Sequence, residues 1–92
     1  MSDESQQTQD RPTIVLVDDE EMVLTSLSSF LDLETEYEIK TYTSAKEALE
    51  YVEHNDVDLV ISDYLMPEMD GISFLARVRD IKPEIHRIIL TG

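Results

Sequence analysis

The sequence predicts an α/β domain, with a parallel sheet and helices on both of its faces. Three observations point there. Apolar, β-branched runs alternate three times with segments of helical periodicity, the runs are continuous as in strands buried on both faces, and the connections are short. Such connections form right-handed crossovers between parallel strands.

Residues 1–11 (MSDESQQTQDR) lack apolar periodicity and are rich in Ser, Gln, Thr and Asp, which predicts a disordered tail ahead of a domain over 12–92. Pro12 opens the first strand, Thr13-Ile14-Val15-Leu16-Val17, which stops at Asp18-Asp19. From Glu20 to about Leu33 the residues Val23, Leu24, Leu27, Phe30 and Leu31 recur at helical spacing and predict a buried face. Asp19, Glu20 and Glu21 sit where the helix dipole favours negative charge.

Glu38 to Thr43 alternates like a short strand. Ser44-Ala45-Lys46-Glu47 then has the form of a capping box, so a second helix begins at Ala45. Val57 to Ser62 is a third strand ending on Asp63, and Tyr64 to Gly71 (YLMPEMDG) is turn chemistry in which Gly71 supplies backbone freedom. Ile72, Leu75, Val78 and Ile81 mark a third helix that ends near Lys82, because Pro83 disfavours helical geometry in the residue before it. Arg87 to Thr91 is a fourth strand.

With 92 residues the chain is one small domain, and 41% hydrophobic against 30% charged residues is ordinary for a folded one. The formal charge of −14 argues against direct contact with nucleic acid or an anionic membrane and favours basic proteins or cations as partners. Without cysteine there are no disulfides and no thiolate chemistry, which suits a reducing cytosol. No basic start leads into an apolar run, and no apolar stretch approaches the roughly 20 residues of a membrane span. The expected location is cytoplasmic.

Functional groups in open parallel sheets gather beyond the carboxyl ends of the strands, where strand order reverses. The first strand delivers Asp18 and Asp19 there, the third Asp63 and the fourth Thr91. Two carboxylates about 4 Å apart repel by roughly 4 kcal/mol at an effective dielectric near 20, so three together call for a cation. Magnesium, a hard ion that takes carboxylates and waters and bridges to phosphoryl oxygens, meets that need.

Val-Asp-Asp-Glu at 17–20, Asp-Tyr-Leu-Met-Pro-Glu-Met-Asp-Gly at 63–71 and Leu-Thr-Gly at 90–92 resemble the receiver domains of two-component response regulators, and the resemblance runs from about Thr13 to Gly92. It implies a flavodoxin-like fold with sheet order 2-1-3-4-5. It also implies that Asp63 takes a phosphoryl group from a sensor histidine kinase or phosphotransfer protein. Asp18, Asp19, Asp63 and the backbone carbonyl of Leu65 would hold Mg2+, Thr91 would bind the phosphoryl group and switch, and Pro67 and Gly71 would shape the turn. Leu65, two residues past the acceptor, offers nothing to activate water. Such a domain is no free-standing enzyme.

Receivers also carry a fifth strand, with a lysine that pairs with the phosphoryl group, and two further helices, whereas this sequence ends at Gly92. The expected fold therefore lacks the last strand and last two helices. The chain is then a piece of a longer protein, or a short receiver whose fourth strand is covered by another chain, as in a homo-oligomer. Arg87 is the basic residue nearby in sequence, with no evident reason to point at the site.

The competing function is a receiver-like interaction or dimerisation module that does not signal by phosphorylation. A haloacid-dehalogenase-type phosphatase needs an aspartate two residues after its nucleophile, and Glu20 stands there relative to Asp18. Nucleotide or flavin binding wants a glycine-rich loop after the first strand, which is absent. His54 and His86 fall in polar segments and read as surface residues, Met66 and Met69 as loop packing, and Glu47, Glu50 and Glu53 as a solvated helix face.

Overall fold

The structure, a computed structural model, describes residues 11–90. Strand β1 (Thr13–Val17) leads to helix α1 (Glu21–Glu34), β2 (Glu38–Tyr42) to α2 (Ala45–His54), and β3 (Leu59–Asp63) to α3 (Gly71–Ile81), which returns into β4 (His86–Leu90). The four strands form one parallel sheet in the order β2-β1-β3-β4. This is the expected flavodoxin-like arrangement. The tail assigned to residues 1–11 lies outside the described residues apart from Arg11, whose guanidinium reaches the Tyr37 carbonyl at 3.5 Å.

The period of two along β1 creates two cores. Val15 and Val17 face α2 and α3, in a cluster with Ala45, Ala48, Val52, Val60, Phe74, Val78 and Ile85. Ile14 and Leu16 face α1, where Leu24 is buried against them and Leu27 and Leu31 pack at the margin. One expectation fails on this side. Phe30, read as part of the buried face of α1, is 60% exposed, because Leu24, Leu27 and Leu31 already cover the sheet beneath them.

Local chemistry sets the ends of the helices. The Ser44 hydroxyl accepts the Glu47 N–H at 3.3 Å, as the capping box predicts, but it donates to Glu68 Oε1 at 3.1 Å and so ties α2 to the loop before α3. Asp70 caps α3, accepting the Ser73 N–H at 2.8 Å. Helix α3 closes where the Lys82 N–H reaches the Val78 carbonyl, directly before Pro83. Helix α1 starts at Glu21, with no side-chain cap from Glu20.

Gly71 requires a correction. Its φ is not positive, so backbone freedom is not its contribution. It is buried because α3 begins against the end of β3. A Cβ at this position would collide with the Asp63 carbonyl oxygen and lie 2.9 Å from Ile89 Cδ1. Among the described residues β4 is an edge of the sheet, with Ile88 46% and Leu90 38% exposed.

Gly71→Ala is expected to lower the unfolding free energy by about 1–3 kcal/mol, the usual cost of overpacking, although alanine is the better helix former by about 1 kcal/mol. Urea denaturation of the variant beside wild type measures the difference.

Candidate functional site

The register of β1 against β3 builds the site. Val17 pairs with Ser62, so the next residues, Asp18 and Asp63, emerge side by side at the carboxyl ends of the two central strands. Sheet order reverses here, since β1 continues by crossover to β2 on one side while β3 continues to β4 on the other. One carboxylate oxygen each from Asp18, Asp19 and Asp63 lies within 4.8 Å of the others. All three acids singled out from the sequence meet in one place.

Their surroundings differ. Asp18 is 6% exposed. Its backbone N–H donates to the Tyr42 carbonyl at 3.1 Å, and its Oδ1 accepts the Glu20 N–H at 2.8 Å, which fixes the side chain ahead of α1. Asp19 is exposed and Asp63 half-buried. Burial pushes the Asp18 carboxyl above its ordinary value; the Glu20 N–H opposes this, and the charges of Asp63, Asp19 and Glu20 add to it.

The donor set suits a hard cation. Around magnesium at 2.0–2.1 Å, octahedral oxygens stand about 3 to 4.2 Å apart, comparable with the 4.8 Å within which these three carboxylate oxygens lie. A cation would also remove the like-charge repulsion acting on Asp18. The cluster is thus able to coordinate a metal ion.

Past Asp63 the chain forms a closed loop. The Tyr64 N–H extends the ladder to the Leu90 carbonyl at 3.1 Å, and the Gly71 N–H returns to the Tyr64 carbonyl at 2.8 Å. Leu65 projects into solvent at 69% exposure, Pro67 is exposed, and Met66 and Met69 pack against the larger core. Thr91 lies outside the described residues.

Arg87 donates to the carbonyls of Ile85 at 2.8 Å and Pro83 at 3.3 Å, at the end of β4 remote from the carboxylates. His86 starts that strand and is exposed, and His54 makes a local contact with the Glu50 carbonyl at 2.9 Å. Neither histidine approaches the acids.

Residues 14–92 match the family model described as the response regulator receiver domain. The chain belongs to that family. It is 38% identical over 68 residues to the response regulator Rre1 of Synechocystis sp., covering 74% of this receiver and 29% of that protein. It is 40% identical over 79 residues to the transcriptional regulatory protein GlrR of Escherichia coli, covering 86% and 18%. Among solved structures, the signal receiver domain of an HD domain-containing protein from Pseudomonas fluorescens Pf-5 superposes with a TM-score of 0.84 at 40% identity, covering 89% of this chain and 65% of that one. The receiver therefore spans less than a third of these two curated relatives.

One feature of the site escaped the sequence. Ser62 is fully buried, and its hydroxyl donates to the Asp63 carbonyl at 2.9 Å. A serine inside an apolar run reads as an ordinary strand residue, and only its i, i+1 relation to Asp63 hinted at more.

In metal-free protein, Asp18 holds its proton more tightly when folded than when unfolded. Its contribution therefore favours folding below the ordinary carboxylate value of 3.8 and is lost as pH rises from there through the raised folded value. Asp18→Asn is expected to be more stable than wild type at neutral pH in the presence of a chelator, by between about 1 and 4 kcal/mol, the range for one carboxylate repulsion at high and moderate dielectric. The two proteins should converge at acid pH. Denaturation midpoints across pH, with and without magnesium, check the sign, and magnesium should reverse the order.

Proposed function

We propose that this receiver accepts a phosphoryl group on the Asp63 carboxylate from the phosphohistidine of a sensor histidine kinase or phosphotransfer protein. The observation that carries this reading is the convergence of Asp18, Asp19 and Asp63 at the reversal point of the sheet. A carboxylate oxygen of Asp63 attacks phosphorus, the phosphorus–nitrogen bond breaks, and its electron pair stays with the donor imidazole. The product is an acyl phosphate on Asp63.

Asp18, Asp19, Asp63 and the Leu65 carbonyl are the groups that would hold Mg2+. When bound, the ion supplies charge neutralisation and alignment for the phosphoryl oxygens. Asp18 meets it already oriented by the Glu20 N–H, so little side-chain freedom remains to be lost. Asp63 stands at the rim, half-buried, where a donor can reach it. Leu65 brings no acid or base to the mouth of the site, which favours a long-lived acyl phosphate. The Thr91 hydroxyl is assigned to a phosphoryl oxygen, and Pro67 with Gly71 to the turn that carries the loop back to α3. The chemistry is one phosphoryl group per chain, without turnover of a free substrate.

Among the described residues no helix is long and apolar enough to cross a membrane. The acidic, cysteine-free composition and the kinase partner favour a cytoplasmic setting.

Incubation with acetyl phosphate and magnesium is expected to add the mass of one phosphoryl group to wild type, and none to Asp63→Asn or to chelator-treated protein. Intact-mass spectrometry reads the result. No gain in wild type shown by circular dichroism to be folded would overturn the proposal.

Among the described residues β4 is an edge strand, and its exposed Ile88 and Leu90 support self-association of the 92-residue chain through it, since an edge beside apolar side chains invites pairing. Sedimentation of the 92-residue chain at high micromolar concentration is expected to show dimers or larger species, and a monodisperse monomer would refute this.

A further inference from the structure

Asp18 and Ser62 are the buried polar residues among those described, and the acid triad accounts for the first alone. Ser62 sits on the face of β3 turned toward α2 and α3. Its neighbour along the strand on that face is Val60, and Val15 and Val17 stand in the adjacent strand. Alanine or valine would fill such a place without burying a hydroxyl, which costs free energy unless it finds a partner. The partner here is the Asp63 carbonyl oxygen at 2.9 Å, with the Met66 sulfur a weaker, longer alternative at 3.9 Å.

The same carbonyl oxygen is confined from another direction. Helix α3 begins against it, and Gly71 leaves no room for a side chain between them. The nitrogen end of that peptide unit is held as well, because the Tyr64 N–H donates to the Leu90 carbonyl at 3.1 Å. The peptide following Asp63 is thus fixed at its oxygen by a buried hydroxyl and a glycine, and at its nitrogen by the neighbouring strand. The β1–β3 ladder holds the chain on the other side of Asp63.

We infer that Ser62 is a positioning residue for Asp63: its hydroxyl, together with Gly71, locks the main chain on the carboxyl side of the acceptor and so fixes the direction in which the Asp63 carboxylate leaves the strand. The inference rests on the reading of Asp63 as phosphoacceptor. Ser62 touches no phosphoryl donor and acts through its neighbour. In-line attack needs the nucleophile held near one geometry, and small misplacements lower the rate of the chemical step more than they weaken binding of the donor.

The test is the rate of phosphorylation by acetyl phosphate at saturating magnesium in wild type, Ser62→Ala, Ser62→Cys and Ser62→Thr, with urea midpoints measured alongside. The alanine and cysteine variants, which lack a strong donor, are expected to show a limiting rate lower by about fivefold, the scale of one hydrogen bond. The acetyl phosphate concentration at half-maximal rate should stay within about twofold. Cysteine nearly preserves the volume, so its loss of rate reports the hydroxyl rather than packing. Threonine keeps the hydroxyl and should recover to within about twofold of wild type.

Wild-type rates in the alanine or cysteine variant overturn the inference, as does a threonine variant as slow as alanine. A wild type that takes up no phosphoryl group removes the acceptor reading itself, and the inference with it. That failure shows in the wild-type sample alone and is distinct from a failure of the variants.

Discussion

Everything at the site depends on the pairing of β1 with β3. Their parallel register sets Val17 beside Ser62 and therefore sends Asp18 and Asp63 out of the sheet as neighbours. Burial of Asp18 opposes the arrangement, and the charges of the neighbouring acids add to the cost, which is why its carboxyl is pushed up. The opposition is overcome by the apolar residues behind it. Val15, Val17 and Val60 on one face, and Ile14 and Leu16 on the other, are almost wholly removed from water, each contributing roughly 1.5–3 kcal/mol. The functional cluster is thus a local strain held in place by the two cores that flank it.

This arrangement would couple a bound cation to the fold. A cation at the triad would stabilise the folded state by the free energy of binding to it, because an unfolded chain does not gather three carboxylates. The same ion would lower the charge that an incoming phosphoryl group meets in the reaction proposed for Asp63. One electrostatic feature would thus link the stability of the fold to the chemistry proposed for Asp63.

Much of this was legible in the sequence, for identifiable reasons. The strands of a parallel sheet are continuous apolar runs, and an aspartate that terminates such a run must lie at a carboxyl end, so the sequence alone places Asp18, Asp19 and Asp63 together. The Ser44 cap was legible because its partner, Glu47, is three residues away. What stayed hidden depends on partners distant in sequence or on competition for a surface. The second bond of Ser44, to Glu68, spans 24 residues. Phe30 has the right helical spacing, but the sheet face below α1 is already filled. Gly71 reads in the sequence as a source of backbone freedom, whereas its small size matters because the Asp63 carbonyl lies against it. Ser62 offers only its place beside Asp63, since the bond that gives it meaning is to the backbone of that residue.

The two cores are unequal. Among the described residues ten buried ones form the cluster under α2 and α3, against three beneath α1. Opening free energy follows buried apolar contact, so the α1 layer can detach at lower cost than the layer opposite. The triad straddles that difference: Asp18 and Asp19 lie on the segment entering α1, and Asp63 on a strand end braced by α3. Amide exchange protection should accordingly fall off toward α1 well before it does around β3. Asp63 thus belongs to the better-packed half of the molecule and Asp18 and Asp19 to the other, so a cation shared by the three carboxylates would also fasten α1 to the rest of the fold.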